Sequence, residues 1–266
     1  MFALIKPPLQ CAFLGVAGAQ ARLRVKLNRP QRYSGVFRTH ALALSSLPEN
    51  RRTAYNTDGV AEVNFTRMSQ RMAWDYPVIH WITDIARKSR KKRLSLLDAG
   101  GHMGTKYISF ADLLPVQDMI WSVYDLPVIL RAARSHQVTG AVPEKIRFID
   151  DPGAAKKVDV LLASGLLQYL DIPLAGLVSQ MAAPPRYILL NKVAVRDGNS
   201  IVTLEKIGPA LVPYHIRDKS AFEAGLCELG YRIRDQWAIP DLSHRISTHP
   251  WLPASQSKGY MLERVG

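Results

Sequence analysis

The sequence predicts an α/β three-layer sandwich on a mostly parallel sheet, and three observations carry that prediction. Five short apolar runs recur between residues 94 and 190, helical segments separate them, and two further strand-like runs follow a last helix. Strands that are apolar along their whole length are buried on both faces, the condition of a parallel sheet covered by helices. At 266 residues, the chain exceeds the ~150 of a typical domain, so one main domain with an appendage is expected.

The elements follow in order. Met1 to Ala21 is apolar but interrupted by Lys6, Pro7, Pro8 and Gln10. An export signal is disfavoured, because a proline pair precedes the apolar stretch and Arg22, Arg24 and Lys26 follow it. A locally docked or poorly ordered terminus is expected, with an interfacial helix as the alternative. Arg29 to Thr57 is rich in Arg, Pro, Ser and Asn without a sustained period and reads as a connecting segment. Residues 1–60 together form a basic N-terminal extension.

A helical pattern covers Ala61 to Trp74. A clearer one starts at Asp75, read as an N-cap with Pro77 in the first turn. Val78, Ile79, Ile82, Ile85 and Ala86 then share one face, so residues 61–93 are expected to pack as a helical segment on a main domain of residues 94–266. The candidate strands are Leu94–Leu97, Met119–Tyr124, Ile146–Ile149, Val158–Ala163 and Tyr187–Leu190. Lys106–Leu114, Leu126–His136 and Ile172–Ala182 supply the crossover helices. Ser220–Leu229 is helical, and Tyr231–Ile239 with Gly259–Val265 reads as an antiparallel pair closing a seven-stranded sheet.

Composition removes several classes. No window approaches the ~18 apolar residues of a membrane span, and the only cysteines, Cys11 and Cys227, lack the spacing of a disulfide scaffold or zinc site. A reducing cytoplasm is the expected setting. The net charge of +13 is concentrated: residues 1–93 hold 17 Lys/Arg against 5 Asp/Glu, whereas the remainder is nearly balanced. A partner of opposite sign, such as an anionic membrane surface on the inner face or a nucleic acid, would therefore meet the N-terminal third. The basic run Arg87 to Arg93 also complements the dipole of the helix it ends.

The sharpest signal is Asp98-Ala99-Gly100-Gly101-His102-Met103-Gly104-Thr105 directly after the first apolar run. Glycines allow a tight turn and close ligand approach at the switch point of such a sheet. Asp125 ends the second run about 20 residues on, where a carboxylate accepts from ribose hydroxyls. Asp150 and Asp151 end the third, placed to meet an adenine edge, and Ser164 to Gln168 ends the fourth. The expected cofactor-binding residues are thus Asp98, Gly100, Gly101, His102, Gly104, Asp125, Asp150, Asp151, Ser164 and Gln168. A nicotinamide dinucleotide is the weaker cofactor, since the loop lacks Gly-x-Gly-x-x-Gly spacing.

Asp75-Tyr76-Pro77, the Asp98–Thr105 loop, Leu161–Leu170 and Thr203–Tyr214 carry a resemblance to a family of S-adenosylmethionine-dependent methyltransferases often associated with bacterial surface-polysaccharide gene clusters. The resemblance covers residues 75–266. It implies the class I methyltransferase (Rossmann-like) fold, S-adenosylmethionine as cofactor and cofactor contacts from Gly100, Gly101, Gly104, Asp125 and Ser164. The chain departs from the family pattern at His102, where Gly or Ser is usual, and at Asn191-Lys192, which replaces Asp-Arg.

Methyl transfer needs an aligned nucleophile and, for an oxygen acceptor, a general base. His215, after Pro213-Tyr214 in an expected loop, is the candidate base; Asn191, Tyr214 and His244 are the candidate acceptor-binding residues. Asp241, His244 and His249 match no metal-ligand spacing, so no metal is expected. The leading expectation is O-methylation of a sugar, glycolipid or related small acceptor. A nucleic-acid methyltransferase and a non-catalytic module with a degenerate fold are the alternatives.

Overall fold

The computed structural model describes residues 7–27, 29–48, 65–89, 93–208 and 210–265. In chain order the elements are α1 (Pro7–Lys26), β1 (Tyr33–Phe37), α2 (His40–Ser45), α3 (Phe65–Met68), α4 (Tyr76–Lys88), β2 (Ser95–Ala99) and α5 (Thr105–Phe110). Then come β3 (Ile120–Tyr124), α6 (Pro127–Val138), β4 (Arg147–Ile149), β5 (Val160–Ser164), α7 (Leu174–Ser179) and β6 (Tyr187–Arg196). β7 (Ile201–Ile207), β8 (Ala210–Asp218), α8 (Lys219–Glu228), β9 (Tyr231–Ala238) and β10 (Gln256–Arg264) complete the chain. Two compact units result: a sandwich unit of Asn56–Val193, Phe222–Ile239 and Lys258–Gly266, and a second unit of Met1–Tyr55, Ala194–Ala221 and Pro240–Ser257.

In the sandwich unit the strand order is β4-β3-β2-β5-β6-β10-β9. β2 to β6 pair in parallel, and β9 and β10 are antiparallel, with Lys258 opposite Ala238 and Arg264 opposite Tyr231. All five apolar runs and the closing pair are strands. Their side chains explain it: Leu96, Leu97, Leu161 and Leu162 are fully buried on alternating faces, so both faces are covered. α4 buries Val78, Ile79, Ile82 and Ile85 in the same core as Trp121 and Leu162, each such side chain contributing about 1.5–3 kcal/mol.

Asp75 departs from its expected capping role. It sits at the α4 N-terminus, but its side chain makes no capping bond there. Instead, fully buried, it accepts the Met72 N–H at 3.0 Å and the Lys106 ammonium at 2.7 Å. The charge pair outcompetes the cap because a buried carboxylate needs a counter-ion.

The second unit corrects two sequence readings. The segment read as a connector contains strand β1 and helix α2, and the stretch around residue 215 read as a loop is strand β8. β7 is flanked by β1 and β8, both antiparallel to it, and β8 pairs in parallel with the last residues of β6 at Val195–Arg217 and Arg196–Asp218. Ala43, Leu47, Val202, Leu204 and Leu211 form its core, with Phe37 against them. Helix α1 docks locally: a Cβ on Gly18 would lie 3.2 Å from Pro250 and Trp251, and the Arg22 guanidinium lies 5.2 Å from the Trp251 ring centroid. Among the described residues no helix is long and apolar enough to cross a membrane. Met1–Lys6, the connector from Glu49 to Thr57, residues 61–64 of the helical pattern and Arg90-Lys91-Lys92 of the basic run lie outside the described residues.

Candidate functional site

Parallel pairing brings the carboxyl ends of β2 to β6 to one edge of the sandwich sheet, with Ala99 opposite Tyr124, Tyr124 opposite Ile149 and Ser164 opposite Asn191. The glycine-rich turn leaves β2 at this edge. Gly100, at φ +71°, donates its N–H to the Tyr124 carbonyl at 2.7 Å and ties the turn to the end of β3. A Cβ on Gly101 would lie 2.6 Å from the Asp98 carboxyl carbon. Only glycine therefore lets that carboxylate sit beneath the turn.

His102 adopts φ +56°. That left-handed backbone is free for glycine but costs other residues about 1 kcal/mol, which is the physical content of the departure at this position. Its N–H donates to Asp125 Oδ2 at 2.8 Å, and its ring stacks on Phe65 with centroids 6.3 Å apart. Asp125 Oδ1 also accepts the Leu126 N–H at 2.7 Å. Burial nonetheless holds the half-buried Asp125 carboxyl above its ordinary range, against the pull of these two bonds.

Asp98 is 1% exposed, and neither carboxyl oxygen has a hydrogen-bond partner among the described residues. Burial pushes its carboxyl up to about 7, with Lys106, the nearby Trp121 indole and Lys192 opposing and Asp125 reinforcing. The Trp121 N–H favours the ionised form from outside hydrogen-bond geometry. Gln168 is also buried, its Oε1 unpaired. Ser164 Oγ accepts from Asn191 Nδ2 at 3.4 Å, and Asn191 Oδ1 accepts from the Trp237 indole at 3.2 Å. Asp150 and Asp151 are exposed beyond β4; Asp151 accepts the Gly153 N–H at 2.9 Å and so caps a turn.

Sequence reasoning gave the two cations here no role, although it singled out Lys192 as a departure from the family pattern. Lys106, on α5, is buried and paired with Asp75; Lys192 lies at φ +60° within β6 with burial lowering its amine to about 8, Lys106 reinforcing and Asp75 and Asp98 opposing. The available signal was a charged residue inside each of two otherwise apolar elements.

The remaining candidates belong to the second unit. His215 lies opposite Val202 in the β7–β8 ladder, its ring 6.0 Å from that of His40. Burial, aided by Arg217 and His40, lowers it to about 4, so it is neutral at pH 7. Tyr214 and His244 are brought together: Tyr214 OH and His244 Nε2 are 3.2 Å apart, and His244 Nδ1 lies 2.8 Å from Ser255 Oγ. Asn191 is in the other unit. Among the described residues no group of three or more His, Cys, Asp or Glu is arranged to hold a metal ion.

The seven-strand order with a closing antiparallel pair decides the architecture. The fold is the class I methyltransferase sandwich. It is similar to LepI solved as a complex with SAM, at 14% identity and a TM-score of 0.51. A structure described as a pericyclic reaction enzyme matches at 14% identity and a TM-score of 0.53. Each comparison covers 94% of this chain and 64% of the other, so the chain spans 64% of the length of those proteins. The glycopeptide N-methyltransferase MtfA complexed with SAM aligns at 12% identity, over 74% of this chain and 96% of that one, with a TM-score of 0.47. No family model and no curated protein matches the chain. Sheets of this kind bind ligands at their topological switch point, which here falls between β2 and β5, at the edge that carries Asp98, Asp125, Ser164 and Gln168.

Proposed function

We propose that the chain binds S-adenosylmethionine at the carboxyl edge of its parallel sheet and transfers the methyl group to a hydroxyl of a sugar, glycolipid or related small acceptor. The observation that carries the cofactor reading is the bridge from Asp125 to the His102 N–H, which fixes a carboxylate at the end of β3 beside the glycine-rich turn. The donor set fits an adenosine-bearing group. Asp125 retains a lone pair on each oxygen for ribose hydroxyls, and the turn through Gly100, Gly101 and Gly104 keeps side chains out of its path. Asp150 and Asp151 stand at the adenine end, and Ser164 and Gln168 on the β5 side. Unpaired acceptors on Asp98 and Gln168 add polar groups that a ligand would satisfy.

Bound S-adenosylmethionine supplies a sulfonium-activated methyl group. The chain's own share is alignment, exclusion of water and removal of the hydroxyl proton. His215, neutral at pH 7, is the proton acceptor in this reading. Tyr214 and His244 spend their polar atoms on each other and on Ser255, so their part is to hold β8 in place; Asn191 likewise holds Ser164. Calorimetric titration with S-adenosylhomocysteine, with NAD as control, tests the cofactor reading: micromolar binding of the first alone is expected, and its absence in folded protein overturns the reading.

A second reading keeps the cofactor and drops the transfer, because the similar structure described as a pericyclic reaction enzyme shares this fold. A methyl added to any acceptor in a mass-spectrometric screen separates the two.

The proposal includes a cytoplasmic location with α1 on the inner membrane face. Phe13, Val16, Leu23 and Val25 are exposed on that helix beside Arg22, Arg24 and Lys26, a composition suited to anionic lipid. Co-sedimentation with anionic vesicles is expected to fall when residues 1–30 are removed, and an unchanged pellet removes this part.

A further inference from the structure

Four charged side chains meet beneath the glycine-rich turn, and only two of them are committed to each other. Lys106 Nζ binds Asp75 Oδ1 at 2.7 Å, both side chains being buried. Asp98 lies in the same field with two unpaired oxygens. Lys192 makes no hydrogen bond and no ion pair among the described residues, although Asp75 and Asp98 act on it electrostatically. Its position is well defined by its contact with Gly165, where a Cβ would lie 3.0 Å from Lys192 Cε, 3.1 Å from Nζ and 3.6 Å from Gln168 Nε2. The ammonium and the Gln168 amide therefore converge just beyond the end of β5, and Gln168 Oε1 is unpaired.

An ammonium, a carboxylate and an amide carbonyl, all under-satisfied and all at the sheet edge that takes ligands, form a site of mixed charge. A simple anion or cation would satisfy one member and repel the other. An α-amino acid group satisfies all of them, since it carries both charges on neighbouring atoms. The left-handed backbone at Lys192 places this amine at a cost of about 1–2 kcal/mol, a kind of strain that collects at binding sites.

We propose that Lys192 binds the α-carboxylate of the cofactor's amino-acid end, while Asp98 and Gln168 Oε1 accept from its α-ammonium. This rests on the cofactor reading above and deepens it, because it assigns the β6 residue at which the chain departs from the family pattern. It also makes a specificity claim: this end of the site recognises the zwitterion, separately from the recognition of the nucleoside by Asp125.

The test compares two probes, S-adenosylhomocysteine and 5′-methylthioadenosine, which keeps the nucleoside thioether but lacks the amino-acid end. Both are titrated calorimetrically into the full chain and into Lys192→Met and Lys192→Gln. The expected result is an affinity loss of about tenfold or more for S-adenosylhomocysteine, the range of a hydrogen bond between charged groups, with methylthioadenosine within twofold of the parent. Retained methylthioadenosine binding also shows that the variants fold with an intact nucleoside site. Equal loss for both probes, or no loss for either, overturns the assignment of Lys192 while leaving the cofactor reading standing. Failure of the parent chain to bind S-adenosylhomocysteine overturns both.

Discussion

The two units differ in how the polar groups around their candidate residues are paired. In the second unit two chains of polar groups stand out: Arg32 Nε and Tyr33 OH both donate to Glu205, at 3.0 and 2.9 Å, and Tyr214, His244 and Ser255 form the other, while Ser257 Oγ is buried without a hydrogen bond among the described residues. In the sandwich unit, among the described residues, Asp98 and Gln168 are buried with acceptors unpaired, and Lys192 has no ion-pair partner. A satisfied network contributes to the fold, whereas an unsatisfied one costs stability that a ligand can offset. A ligand would therefore offset most at the edge of the sandwich unit, where the cofactor reading rests.

The largest expected effect breaks the comparison at its strongest point. Asp125→Ala removes the carboxylate proposed to meet the ribose and is expected to weaken S-adenosylhomocysteine binding about a hundredfold, for two hydrogen bonds to a charged group. His244→Ala, which removes one hydrogen-bond partner each from Tyr214 and Ser255, is expected to lower the melting temperature by about 5 °C or more and to leave that affinity within twofold. Should His244→Ala abolish binding while Asp125→Ala spares it, the division of labour is reversed.

Asp98→Asn sharpens the comparison by its sign. A carboxyl whose folded pKa is raised from 3.8 to about 7 destabilises the native state fully above pH 7 and not at all below about pH 4. The variant is therefore expected to melt several degrees higher than the parent at pH 8, the advantage vanishing as the pH falls towards 4, while losing ligand affinity. A melting temperature unchanged at pH 8 would show that the buried carboxylate carries no such cost.

The second unit responds to acid instead. His215 and His244 both drop from 6.5 to about 4, with burial as the first cause. The unfolded chain takes up their protons first, so stability is expected to fall as the pH goes from about 6.5 towards 4. Replacing both with Gln and following melting across that range is expected to flatten the slope; an unchanged slope assigns the acid sensitivity elsewhere. The smallest effect is at His102→Gly, which relieves the left-handed backbone but loses the Phe65 stack. Its melting temperature is expected within about 2 °C of the parent, since the two terms are of similar size.

Legibility followed the range of the interactions. The central strands of the parallel core were readable because their apolar runs are buried by their own composition, as in Val160–Ser164, whereas Arg147–Ile149 at the sheet edge is only partly buried. The turn from Asp98 to Thr105 was readable because its glycines are local necessities. β1 was not: Tyr33–Phe37 is a strand only because it pairs with Glu205 to Val202, some 170 positions away along the chain. β7 and β8 had a usable signal in Gly208-Pro209 between two alternating runs, where the ladder closes at Ile207 and Ala210. Without them His215 was misread as a loop residue.

By itself the sequence determined the sandwich, its strand polarity and the chemistry gathered at one edge of the sheet, since periodicity, glycine spacing and an acid at the end of each of the first three strands are local properties. Only the tertiary structure decided which charged groups are paired. Asp75 became the partner of Lys106 and not a helix cap, Asp98 was left without one, and Lys192 was set against Gly165. Ion pairing between buried groups depends on which elements the fold brings within a few ångströms, and no pattern along a single chain encodes that distance.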